Sequence, residues 1–155
     1  MIKVFTSRIT FEGLLIEGEE SADVFDIEKD KGMVPTSPLK YNLKISSISG
    51  GYLATGSAEA SFEFICDKCL AHFEQKIKTS DICHLYENYH GTELDLTEDI
   101  REDILIVLPH RFLCSESCKG ICFKCGKNLN IKKCSCHDTE KPDSVWKELN
   151  KLKVK

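Results

Sequence analysis

The stretch Ala58-Glu-Ala-Ser-Phe-Glu-Phe-Ile-Cys66-Asp-Lys-Cys69-Leu-Ala-His-Phe-Glu-Gln-Lys-Ile77 reads as two strands joined by a cysteine knuckle. Before the knuckle, Ala58, Ala60, Phe62 and Phe64 recur at every second position, the period of a strand with one buried face. After it, Phe73, Gln75 and Ile77 share one face of a second run. A Cys-x-x-Cys turn curls until both sulfurs point at one centre about 2.3 Å away. The expectation is an antiparallel hairpin with half of a metal site at its tip, where a zinc ribbon places its knuckle.

The rest of the site is expected further along. Six of the nine cysteines fall in Cys114-Ser-Glu-Ser-Cys118-Lys-Gly-Ile-Cys122-Phe-Lys-Cys125-Gly-Lys-Asn-Leu-Asn-Ile-Lys-Lys-Cys134-Ser-Cys136. Cys122 to Cys125 is a second knuckle, and Gly126 suits the positive φ that such a turn needs. Zn²⁺ is the expected ion, one or two of them, because four thiolates in a tetrahedron suit it; an iron–sulfur cluster and disulfides are the alternatives. The simplest partition puts Cys122, Cys125, Cys134 and Cys136 on one ion and Cys66, Cys69, Cys114 and Cys118 on another. A rival scheme has one ion between Cys66, Cys69, Cys122 and Cys125, and His137 could replace Cys136. Cys83 stands outside both clusters and is expected to pack as a small hydrophobe. A closed thiolate shell leaves no place for water, so the metal would be structural. Thioredoxin-type chemistry is disfavoured, because that knuckle opens a helix, whereas Cys69 leads into a strand and Cys125 into Gly-Lys-Asn.

Outward from the hairpin, Leu39, Tyr41, Leu43 and Ile45 alternate with Lys40, Asn42 and Lys44, and Ser49-Gly50-Gly51 supplies a hairpin turn. Ile2, Val4 and Phe5 form an opening strand, Ala22 to Ile27 a second short one, and Glu28 to Pro38 a loop. The segment from Cys83 to Tyr89, with His84 and Tyr86, shows no clear period. A helix opens at Asp95-Leu-Thr-Glu-Asp-Ile, with Thr97 as cap and Glu98 and Asp99 in the first turn. Ile100, Ile104, Val107 and Leu108 form its apolar stripe and Pro109 stops it. Glu98, Asp99, Glu102 and Asp103 read as a solvated face rather than paired catalytic acids. Pro142 to Leu152 reads as a closing helix with Val145, Trp146, Leu149 and Leu152 on its apolar face, Trp146 being a docking anchor.

Together these give an α+β fold: an antiparallel sheet, open or barrel-like, packed with one or two helices, and a zinc-braced C-terminal segment. At 155 residues a single domain, 1–155, is expected, with sheet and helix in 1–110 and the basic cysteine-rich segment and closing helix in 111–155. The charge divides along the same line. Residues 111–155 carry eleven Lys and Arg against five acids, a net of +6, while residues 1–110 carry −10. The asymmetry suggests different partners for the two parts, and the basic part could face phosphate, although on charge alone an ordinary solvated lysine surface is the favoured reading. No apolar run approaches a membrane span, and charge interrupts the start before any signal-peptide core forms. A cytoplasmic protein with reduced thiols is therefore expected, and the odd cysteine count argues the same way. Neither a phosphate-binding glycine loop nor a Gly-x-Ser-x-Gly elbow is present.

With these residues in view the chain resembles the YceD family of large ribosomal RNA subunit accumulation proteins. The resemblance rests on Cys66-Asp-Lys-Cys69-Leu70, on the helix from Asp95-Leu96 to Leu108-Pro109, on Cys118-Lys-Gly-Ile-Cys122-Phe-Lys-Cys125-Gly-Lys-Asn-Leu-Asn130, on Cys134-Ser-Cys136 and on the Pro142-Asp143 helix. It covers the chain from about Leu39 onward. Lys68 stands where the family usually has Arg, which keeps the charge but loses planar, bidentate phosphate contact. Some branches lack the C-terminal cysteines, which makes metal a brace of this branch rather than the shared functional element. The resemblance implies a non-enzymatic factor supporting 23S rRNA processing or accumulation by RNA binding, with 23S rRNA or the pre-ribosomal large subunit as partner. No catalytic residue follows from it. The phosphate contacts would be Lys68, Lys119, Lys124, Lys127, Lys132 and Lys133. The alternative is a zinc-stabilised adaptor that docks a ribosomal or assembly protein through the acidic sheet half. An enzyme, either a zinc hydrolase or a thiol oxidoreductase, would need an open metal position or a reactive cysteine.

Overall fold

The computed structural model describes residues 1–27 and 32–136. The strands are β1 (Lys3–Phe5), β2 (Leu14–Glu20), β3 (Met33–Pro35), β4 (Leu39–Ile48), β5 (Gly51–Ile65), β6 (His72–Glu87) and β7 (Glu93–Asp95), followed by the helix α1 (Thr97–Ile106). All pairings are antiparallel. β4 lies between β2 and β5, and β6 runs along the other edge of β5. β3 continues the line of β4 along β5, its Pro35 facing Phe62. β1 and β7 form a separate two-stranded ribbon.

The barrel-like form is not realised: among the described residues β2 and β6 do not pair, and the sheet stays open. Its inner face is closed instead by α1 and the ribbon. Ala54, Gly56, Ala58 and Ala60 line up on that face of β5, and their small side chains leave room for α1, which packs on β5 and β6. Ile100 and Ile104 of α1, Leu94 and Leu96 ahead of it, and Ile2 and Val4 of the ribbon are all buried with Leu39, Leu43, Ile45, Phe62 and Phe64 of the sheet.

Several expectations need correcting. Within the segment expected to be a loop, Met33–Pro35 is a strand paired with β5. Ala22–Phe25 is a 3-10 turn rather than a strand, started by Ser21, whose hydroxyl accepts the Asp23 N–H. It delivers Phe25 edge-on to Phe62, with centroids 4.9 Å apart. Thr97 does not cap α1 with its side chain. The Asp95 carboxylate accepts the Thr97 N–H at 3.0 Å, while the Thr97 hydroxyl accepts the Ile2 N–H at 2.8 Å and so fastens the N-terminus to the helix. The helix ends at Ile106, leaving Val107 exposed beyond the stripe.

The acids of α1 are not a uniformly solvated face either. Asp103 meets His84 Nε2 at 2.7 Å, and Asp99 accepts a hydrogen bond from the Tyr86 hydroxyl. Burial, followed by the Asp99 carboxylate, holds the Tyr86 phenol far above its usual range. These bonds exist because β6 carries a bulge: Ser57 of β5 faces both Ser80 and Asp81. Such an extra residue moves the buried face from Ile77 and Thr79 before it to Ile82, His84 and Tyr86 after it. The same switch turns Cys83 outward, so it is exposed and not a packed hydrophobe.

Among the described residues no helix is long and apolar enough to cross a membrane. The expected helix over Pro142 to Leu152, its anchor Trp146 and the substitute ligand His137 lie outside the described residues.

Candidate metal centre

Cys66 directly follows β5 and Cys69 precedes β6, so the first knuckle is the loop of the long hairpin. Leu70 then takes a left-handed conformation, φ 58°, and its N–H bonds to the Cys66 carbonyl at 2.9 Å. Such a conformation costs a non-glycine residue roughly 1–2 kcal/mol. The second knuckle makes the same turn with the residue suited to it. Gly126 has φ 70°, and its N–H reaches the Cys122 carbonyl at 2.8 Å.

The segment after α1 is laid on the hairpin tip. Asp67 exchanges two bonds with Phe112, N–H to carbonyl at 2.8 Å and carboxylate to N–H at 2.8 Å. The Phe112 ring stacks on Phe64, centroids 4.4 Å apart. The Ile121 N–H bonds to the Lys68 carbonyl at 3.0 Å. Gly120 lies directly beneath, at φ 75°, where a β-carbon would come within 3.1 Å of that carbonyl.

These contacts bring eight cysteines into two quartets, Cys66, Cys69, Cys114, Cys118 and Cys122, Cys125, Cys134, Cys136, with the sulfurs of each within 4.8 Å of one another. The rival one-ion scheme across the two knuckles does not match this grouping. Tetrahedral thiolates about 2.3 Å from one zinc would stand about 3.8 Å apart. Cys66 and Cys118 are 3.8 Å apart, Cys69 and Cys114 3.6 Å. A disulfide would require about 2.05 Å, and a multi-iron cage would force the sulfurs wider. The donor set of the first quartet therefore fits a single tetrahedral ion, and the second, with four sulfurs within 4.8 Å of one another, could hold one as well. The first is the more enclosed, with Cys66, Cys69 and Cys118 buried; in the second only Cys122 is.

Electrostatics point the same way. The Cys114 N–H, against the opposing effect of burial and with help from the Cys69 and Lys68 N–H groups, holds the Cys66 thiol at about 6. The Cys125 and Lys124 N–H groups hold Cys122 at about 6. Burial works against ionisation of Cys118, but the Asn130 amide and the Gly120 N–H outweigh it and lower that thiol as well. The fourth members answer in the opposite direction: Cys69 pushes Cys114 up to about 12, and Cys125 pushes Cys136 up to about 11. Sulfurs this close cannot all ionise by themselves, and a divalent cation at the centre is the charge that would permit it.

Asn130 donates its amide to Cys118 at 3.2 Å and accepts the Lys119 N–H at 2.8 Å. Asn128 donates to the Cys69 carbonyl at 3.4 Å, and Leu129 to Gly120 at 2.9 Å. The loop of the second quartet thus braces the first. The ligand spacing alone does not reveal these two asparagines, although both lie within the Cys118 to Asn130 string that carries the family resemblance. The six lysines, Lys68, Lys119, Lys124, Lys127, Lys132 and Lys133, are all exposed around these turns. Lys124 Nζ lies 5.9 Å from the centroid of the Phe123 ring.

Among the described residues, an open antiparallel sheet with one α-helix, followed by two thiolate quartets that could hold metal, defines an α+β protein with a cysteine-rich appendage. Residues 84–153 match the family model described as "Large ribosomal RNA subunit accumulation protein YceD", and over that segment the chain is similar to the YceD family. The matched segment contains six of the eight clustered cysteines and leaves Cys66 and Cys69 outside it. Among curated relatives, "Large ribosomal RNA subunit accumulation protein YCED homolog 1, chloroplastic" of Arabidopsis thaliana is 41% identical over 49 residues, 32% of this chain and 15% of that protein. An uncharacterized protein of Mycobacterium leprae is 25% identical over 131 residues, 75% of this chain and 59% of that one. A counterpart in Mycobacterium bovis is 26% identical over 127 residues, 72% and 60%. The chain thus spans less than two thirds of these relatives' lengths. No solved structure matches it.

Proposed function

We propose that this chain is a non-enzymatic, RNA-associated factor in large-subunit ribosome biogenesis that supports 23S rRNA processing or accumulation. The family description and the plant relative's name support the biogenesis role. The observation that carries RNA contact is the concentration of exposed lysines on the segment that the thiolate quartets hold in shape. Among the described residues Lys68, Lys119, Lys127, Lys132 and Lys133 make no ion pair, so their charge is available to phosphate. Zinc would act as a brace: four thiolates fill its tetrahedron, and the low-lying Cys66 and Cys122 thiols are prepared for a metal by backbone N–H groups, of Cys114 and the knuckle for the first and of the knuckle for the second.

The test is charge reversal at Lys119, Lys127 and Lys133 together. These side chains are exposed, so zinc content and melting temperature should not change. Binding to purified 23S rRNA should weaken, and the slope of log affinity against log salt should fall by about 2, three lost contacts at about 0.7 each. Unchanged affinity and slope would remove this surface from the proposal.

A further inference from the structure

The two knuckles are the same turn used in different ways. At the second position of the first, Asp67 is consumed by its paired bonds to Phe112, and the Lys68 carbonyl is consumed by Ile121. At the second position of the other stands Phe123, which is 81% exposed. Its neighbours in the same segment include Ile131, 84% exposed, and the exposed Lys119, Lys127, Lys132 and Lys133.

We propose that Phe123 is a stacking platform for an unpaired base, so that the RNA taken by this surface is single-stranded at the point of contact. The inference rests on the RNA reading above and narrows it. A single exposed apolar residue is ordinary on a protein surface. The setting of this one is not: an apolar protein groove is usually met by a surface poor in lysine, whereas aromatics among basic residues are how single-stranded nucleic acid is held. Paired A-form RNA keeps its base faces inside the stack, so only an unpaired base can lie on the ring. With Lys124 over one face of Phe123, the opposite face is left for the base. The Cys122 N–H bonds to Lys127 O at 2.8 Å and the Gly126 N–H to Cys122 O at 2.8 Å, so the platform is carried on a closed turn and needs little ordering on binding.

The experiment uses the full zinc-loaded chain, with a fluorescein-labelled oligouridylate and a blunt RNA duplex of equal length. Phe123→Ala should weaken binding of the single strand about 5- to 150-fold, the range of one base–aromatic stack. It should leave duplex binding, the salt slope, the zinc content and the melting temperature unchanged, while Phe123→Trp restores affinity. Equal binding of the single strand by wild type and Phe123→Ala would overturn the platform and leave the RNA reading standing. Absence of binding to either RNA by the wild type would overturn both. Loss of Phe123→Ala from assembling large subunits, with oligouridylate binding unchanged, would overturn the platform in favour of a protein contact.

Discussion

If each quartet holds one zinc, as proposed, replacing Cys66 by serine is expected to lower bound zinc from two ions per chain to one and to release the segment after α1 from the hairpin tip. Cys66 is fully buried at the centre of the first quartet, with Cys118 at 3.8 Å and the Cys114 N–H at 3.4 Å. A structural zinc supplies roughly 10–16 kcal/mol of apparent binding energy in small modules, and a site one thiolate short no longer competes with a chelator. The sheet core should survive, because the cluster that holds Leu39, Phe62 and Ile100 contains no cysteine. Native mass spectrometry counts the ions, and hydrogen exchange should show the Asp67 and Ile121 amides losing protection, since their acceptors, Phe112 O and Lys68 O, lie across the released contact. Two ions retained would mean that Cys66 is not a ligand. No ion retained would mean that the second quartet cannot form without the first, a dependence for which the braces from Asn128 and Asn130 provide the route.

The other large effect lies in the sheet. Gly56→Ala should destabilise the fold by about 3 kcal/mol or more, the upper end for overpacking, because no rotamer change can relieve the clash. A β-carbon there would stand 2.2 Å from the Asn42 carbonyl oxygen and 2.9 Å from the Leu43 Cα, both backbone atoms of β4. The control is Gly50→Ala in the β4–β5 turn. That residue has φ 88° with nothing within 4 Å, so only the left-handed conformation is penalised, about 1 kcal/mol. Urea titration of the two variants measures the difference. Equal costs would mean that β4 and β5 do not approach as closely as the register Leu43 to Gly56 places them.

Most of the metal centre could be read from the chain because knuckles are local. Their spacing and Gly126 follow from short-range geometry, whereas the joining of Cys66 and Cys69 to Cys114 and Cys118 depends on tertiary contacts across separations of 52 and 45 residues. The sheet was legible where alternation is clean, through β4 and the second half of β5. It was not legible where a tertiary partner replaces the local signal. In β2, Gly18 occupies an inner position that the Tyr41 ring fills from the paired strand; a β-carbon on Gly18 would lie 2.6 Å from the tyrosine hydroxyl. Together with three glutamates, that breaks the apolar alternation after Leu14, Leu15 and Ile16 and leaves only a short signal for a strand. In β6 the bulge at Ser80 and Asp81 reverses the phase, so the second half of the strand, Cys83 included, reads as aperiodic although it pairs with β5 as far as Glu87. The polar links His84–Asp103 and Tyr86–Asp99 depend on that reversal, and no pattern within α1 alone predicts them.

Crosslinking of the tagged, full-length protein to RNA in growing cells, followed by sequencing of the attached fragments, tests the central claim most directly. The account predicts enrichment of a discrete, unpaired region of 23S rRNA, lost when Lys119, Lys127 and Lys133 are reversed to glutamate. RNA at background level from the wild-type protein would contradict it and would shift the role to a protein adaptor working through the acidic sheet.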